Sequence, residues 1–154
     1  MHLARARSPR RVVLWGAFFR VTYKWHYVLP LEWSTRLIQP IVRYVRKAPD
    51  AANVNDKSQI GQFPFYRHFS TRASVELFGL AQRVFDAADG VTAPILMLHG
   101  TGDETASPDA ARAFFAALGS TEKEAVWYAR SNHILGWDFD REAVVRDTVV
   151  FLAR

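Results

Sequence analysis

An aspartate and a histidine in this 154-residue chain stand where a proton-transfer pair is commonly built. Asp103 lies in Gly100-Thr101-Gly102-Asp103-Glu104, directly after the apolar run Pro94-Ile95-Leu96-Met97-Leu98-His99. His133 lies in Ser131-Asn132-His133, after the second apolar run Ala125-Val126-Trp127-Tyr128. One helical and one strand-like segment separate the two residues, and such a unit returns the chain to the same edge of a parallel sheet. Ligands of open parallel sheets bind beyond the carboxyl ends of the strands. A carboxylate placed there accepts a hydrogen bond from the imidazole, fixes its tautomer and stabilises the imidazolium formed during acyl transfer. Plainer readings stand beside this one: Asp103 binding turn amides, and His133 as a satisfied interior or surface histidine. Glu104 reads as a solvated or outer acid, and His99 as a packing or loop-fixing residue. His2, His26 and His68 have no acidic partner at a telling spacing, so no metal site is read, and no motif calls for a cofactor.

The elements that must position the pair are legible in the second half. Residues 94–99 read as a buried strand ending in a glycine turn. Ser107 caps a helix with Pro108 at its first position, and Gly119 closes it. Residues 125–128 form the next strand, and Asp140 or Arg141 opens a last helix with Val144, Val145, Thr148, Val149 and Leu152 on its inner face. Strand, helix, strand and helix with short connections predict parallel strands. The first half is mixed. Val12-Val13-Leu14-Trp15-Gly16 reads as a buried strand, apolar on both faces. Leu31, Leu37, Ile38, Ile41, Val42 and Val45 fall near helical spacing, with Pro40 expected to kink or split that helix. Residues 48–61 read as a loop. Ser70 or Thr71 is expected to cap a helix reaching about Ala88, with Leu77, Phe78, Ala81, Val84 and Phe85 inward.

Composition sets the bounds. The length fits one domain with a real core. No cysteine is present, which excludes disulfides and thiolate chemistry and suits a cytoplasmic setting. Residues 1–50 carry ten Lys/Arg against two acids, a local charge of +8 within a total of +5. These cations are interleaved with apolar and aromatic residues and accompany no recognition motif, so nucleic acid is not expected as a partner. The run Val12 to Phe19 is the longest apolar stretch and is far too short to span a bilayer. Stable membrane insertion is therefore not expected. The basic start Met1–Arg7 lacks the apolar run and cleavage site of a signal peptide.

Taken together, residues 94–104 with Pro108, then Ser131-Asn132-His133, Asp140 and the closing Val150-Phe151-Leu152, resemble the acid turn, histidine loop and last helix of an α/β-hydrolase. The likeness is to the carboxylesterase and monoacylglycerol-lipase branch, which is serine aminopeptidase-like, and it covers residues 88–154 in detail. It implies an α/β fold: the C-terminal portion of an α/β-hydrolase, about three parallel strands with flanking helices and a helical cap segment. Residues 1–19 then correspond to the end of a helix and a core strand, 20–88 to the cap, and 89–154 to the core carrying the acid and histidine. The resemblance assigns Asp103 and His133 to a catalytic triad and implies hydrolysis of carboxylic esters, with a small-molecule ester or lipid as substrate. Trp15, Phe18, Phe19, Tyr23, Trp25, Tyr27 and Trp33 are open to two readings, an acyl-pocket lining or the core of the cap. Trp137 is read as shielding the imidazole or packing on the last helix.

One component of that family is missing from the sequence. None of the eight serines (8, 34, 58, 70, 74, 107, 120, 131) sits in a G-x-S-x-G elbow, where the nucleophile and the first oxyanion amide belong. Met1–Arg7 resembles the tail of the helix after the elbow, so the expectation is a fragment, inactive alone. Its strand 12–16 is then expected to present an open edge prone to self-association. The alternative is a non-catalytic binding or interaction module.

Overall fold

The computed structural model describes residues 9–23, 29–47, 53–64 and 66–154. A parallel sheet of three strands forms its centre: β1 (Val12–Trp15), β4 (Ile95–Gly100) and β5 (Lys123–Tyr128), in the order β1-β4-β5. Val12 pairs with Ile95, and Ile95 with Lys123. The unbroken apolar run predicts a strand covered on both faces, and every residue of β4 is buried.

Side chains alternate across β4 and divide the core into two layers. Ile95 and Met97 face Phe19, Val91, Phe114 and Leu118. Leu96 and Leu98 face Tyr128, Leu135, Val144 and Phe151. Helix α3 (Pro108–Ala117) supplies Phe114 to the first layer. Its start is as the sequence dictates: Ser107 Oγ accepts the Ala110 N–H at 3.2 Å and Pro108 occupies the first turn. Gly119 follows it for a different reason from the expected one. A Cβ there would stand 1.9 Å from the Asp89 carbonyl oxygen, so the requirement is close approach rather than a left-handed turn.

Helix α4 (Arg141–Ala153) covers the second layer, and its inner face differs from the expected one. Val144 and Phe151 are buried, whereas Val145, Val149 and Leu152 are exposed. Strand β1 also departs from expectation. Only one of its sides is paired among the described residues, and Trp15 is 43% exposed while its indole Nε1 donates to Thr148 Oγ1 at 2.9 Å. It is an edge strand, not a buried one.

The first half adds helix α1 (Leu31–Ile38), the short antiparallel ribbon β2 (Tyr44–Arg46) and β3 (His68–Ser70), and helix α2 (Thr71–Asp86). Pro40 ends α1 rather than kinking it, and Val45 lies in β2. Ser70 caps α2 by accepting the Ala73 N–H at 3.3 Å. The loop expected over 48–61 includes a 3-10 turn at Lys57–Gln59, while 48–52 lie outside the described residues, as do Met1–Arg7. No helix among the described residues is long and apolar enough to cross a membrane.

Candidate active site

Asp103 and His133 extend from the loops after β4 and β5, and the register of those strands brings the loops together. Gly100, the last residue of β4, pairs with Tyr128, the last of β5. His133 Nδ1 lies 2.9 Å from Asp103 Oδ2. The Asp103 side chain is fully buried, whereas that of His133 is 28% exposed. Because a carboxylate only accepts, Nδ1 carries the proton, and Nε2 of the neutral ring holds the free lone pair. That arrangement suits a general base.

The two readings of Asp103 both hold, one on each oxygen. Oδ1 accepts the turn amides of Thr105 at 2.8 Å and Ala106 at 2.7 Å. Oδ2 is thereby aimed at His133. The Asp103 carbonyl also accepts the Thr22 hydroxyl at 2.8 Å, which ties the acid loop to the chain after β1.

His99 plays the loop-fixing part. Its ring is completely buried, with Nε2 3.1 Å from the Ala106 carbonyl and 3.3 Å from Asp103 Oδ2. Burial pushes the imidazole below histidine's ordinary pKa, and the bond to Ala106 only partly opposes this. His99 is therefore a neutral donor through Nε2, leaving Asp103 as the only anion between the two histidines.

The histidine loop is held by acids that the sequence did not single out. Asp140 stands at the N-cap of α4, yet its side chain makes no cap bond. Instead Oδ2 accepts the Ser131 hydroxyl at 2.8 Å and the Arg130 N–H at 3.2 Å. Asn132 Oδ1 accepts the N–H of His133 at 2.8 Å and that of Glu104 at 3.0 Å, which fastens the two loops to each other. Glu104 itself is exposed, with only its backbone used in that contact. Gly16, with φ +52°, permits the close passage of β1's end: a Cβ there would stand 2.8 Å from the His133 carbonyl oxygen.

The other candidates lie elsewhere. His68 is exposed on β3, and His2 and His26 fall outside the described residues. Among the described residues no cluster of three or more metal-ligating side chains forms. Trp137 packs against Phe63, with ring centroids 5.4 Å apart, rather than in either expected place. Phe19 is core, stacked on Phe114 at 3.9 Å, and Phe18 stacks on Phe78 at 6.1 Å. Trp25 and Tyr27 lie outside the described residues; Tyr23 and Trp33 are exposed. A cleft of about 360 Å³ lies between α1 and α2, lined by Phe19, Trp33, Phe78 and Gln82, but neither Asp103 nor His133 lines it.

Parallel strands that each end in a loop carrying one member of an acid–histidine pair, with a helix after each, define part of an α/β-hydrolase. The family model described as serine aminopeptidase, S33, matches residues 1–140, and the chain belongs to that family. No curated protein matches the sequence. Among solved structures, one of metagenome-derived lipolytic enzymes, LipS and LipT, superposes with a TM-score of 0.83 at 16% identity, over 98% of this chain and 58% of that one. The monoacylglycerol lipase of Paleococcus ferrophilus gives 0.76 at 19% identity, over 98% and 62%. A soluble variant of the monoglyceride lipase of Saccharomyces cerevisiae, in complex with a substrate analogue, gives 0.77 at 16% identity, over 98% and 56%. Identities this low establish the shared fold. The chain spans 56–62% of the length of these three structures.

Proposed function

We propose that residues 1–154 supply the acid and base of a serine hydrolase acting on carboxylic esters, with the serine contributed from outside them. The observation that carries this reading is the 2.9 Å contact between a buried Asp103 carboxylate and a partly exposed His133 ring. Membership of the serine aminopeptidase family and the absence of a G-x-S-x-G elbow from the sequence support it. In this account residues 20–88 act as the cap and 89–154 as the core that carries the pair.

His133 Nε2 takes the proton of the serine hydroxyl as its oxygen attacks the ester carbonyl. Asp103 steadies the imidazolium without accepting the proton. As the tetrahedral adduct collapses, the same proton passes to the departing alkoxide and an acyl-serine remains. Water, activated by Nε2, then releases the acid and restores the serine. The first oxyanion amide follows the nucleophile, so it too comes from outside these residues.

Esters with an apolar acyl group, short esters or monoacylglycerols, are the proposed substrates. The lipolytic and monoacylglycerol-lipase neighbours favour esters over the peptide amides that the family's description suggests. The test is ester and peptide-amide hydrolysis by the full translated product of the gene. Ester turnover should exceed amide turnover and fall about 10³-fold or more in His133→Ala. Undiminished turnover in that variant would remove His133 from the mechanism. Turnover by residues 1–154 alone that disappears in His133→Ala would mean that they hold their own nucleophile.

A further inference from the structure

We propose that Asp138 is a positioning residue for His133, fastening the histidine loop to the distant segment Asn53–Asp56 through one buried carboxylate. The proposal rests on the reading of His133 as the general base. Asp138 has no solvent exposure, and its oxygens accept four backbone N–H groups. Oδ2 takes those of Asn132 at 2.7 Å and Asn55 at 2.8 Å. Oδ1 takes those of Asp56 and Phe139, each at 2.9 Å. A carboxylate is stable in the interior only when paired or fully hydrogen-bonded, and these four donors meet that need.

The donors belong to two pieces of chain. Asn132 immediately precedes His133, whereas Asn55 and Asp56 lie 83 and 82 positions from Asp138 in sequence. Once docked, the distant segment touches both members of the pair. Asn53, in the left-handed region at φ 48°, turns its carbonyl toward the His133 N–H, 3.1 Å away. Its side-chain amide donates to Thr105 Oγ1, and the Thr105 N–H is one of the two that fix Asp103 Oδ1. Asp138 never touches the imidazole. It acts through the backbones of residues 132 and 53, which set where the ring leaves the chain relative to Asp103. Arg141 closes the cluster, 3.4 Å from the Asp138 carbonyl and 3.5 Å from the Asp56 carboxylate.

An asparagine at 138 would bring two amide hydrogens against two of the four donors, so Asp138→Asn breaks the clamp at nearly constant volume. The test is proton NMR of the full translated product, labelled with 15N-histidine. The His133 Nδ1 proton should resonate far downfield, and Asp103→Asn should abolish that signal and so assign it. In Asp138→Asn the signal should vanish or move upfield while circular dichroism is retained. The Asn55, Asp56 and Asn132 amides should exchange at least about tenfold faster. A folded Asp138→Asn with an unchanged Nδ1 signal overturns the proposal and leaves the reading of His133 intact. A wild-type protein without the signal overturns both. If Asp138→Asn does not fold, the wild type is warmed instead: the signal and the protection of those amides should disappear together. A signal that outlasts their protection overturns the proposal.

Discussion

The backbones of Gly100 and Ser131 pass so closely that a Cβ on Gly100 would stand 2.4 Å from the Ser131 carbonyl oxygen. This approach, at the ends of adjacent parallel strands, is what brings an acid loop and a histidine loop within one hydrogen bond of each other. It makes a glycine a requirement of the site even though its own backbone angles are ordinary.

Gly100→Ala should therefore force the two loops apart and break the hydrogen bond between His133 Nδ1 and Asp103. The expected cost is about 2–3 kcal/mol of stability, in the range of overpacked cores. Urea unfolding checks that cost, and a variant within about 0.5 kcal/mol of wild type would show that the loops have room to yield.

Asp103→Asn removes the charge that holds the Nδ1–H tautomer while keeping an oxygen for the turn amides. Ester hydrolysis by the full gene product should fall by about four orders of magnitude, with far less effect on folding. A loss of tenfold or less in kcat/KM would mean that Asp103 serves the turn alone.

His99 should make stability fall in mild acid. Its folded-state pKa is depressed by burial, so below the ordinary histidine value of about 6.5 the unfolded chain binds a proton that the folded chain refuses. Stability is full above that value and declines as pH drops, by at most about 1.4 kcal/mol per unit. His99→Gln retains a donor but does not titrate. The difference between wild type and variant should therefore turn against wild type below pH ~6.5, and a difference that is flat with pH would contradict this.

Residues 1–154 alone should self-associate. Strand β1 has an unpaired edge among the described residues, and Val145, Val149 and Leu152 on α4 are exposed. Light scattering at micromolar concentration should report oligomers or aggregates, and a single sharp monomer peak would contradict the inference.

These expectations depend on parts of the molecule that the sequence reveals unevenly. The run 94–100 and the Ser107-Pro108 pair announce β4 and α3 because burial on both faces and helix capping leave local marks. The register that pairs Gly100 with Tyr128 then delivers Asp103 and His133 to one place, so the pair is readable from spacing alone. The inner face of α4 is not. Val144, Val145, Val149, Val150 and Phe151 put apolar residues on both sides, and packing on Leu96 and Leu98 selects Val144 and Phe151. Residues 31–45 keep helical spacing, but Pro40 removes the N–H needed to continue α1, and three-residue strands such as β2 are too short to show alternation. Asp138 leaves no mark. Its partners are backbone amides, which nearly every residue carries, and two of them lie more than 80 positions away.

The central claim is tested most directly by treating the full translated product with a fluorophosphonate probe and locating the label by mass spectrometry. The expected result is one labelled serine outside residues 1–154, with labelling abolished in His133→Ala. A label on one of the eight serines within those residues, or labelling that His133→Ala leaves unchanged, would contradict the account.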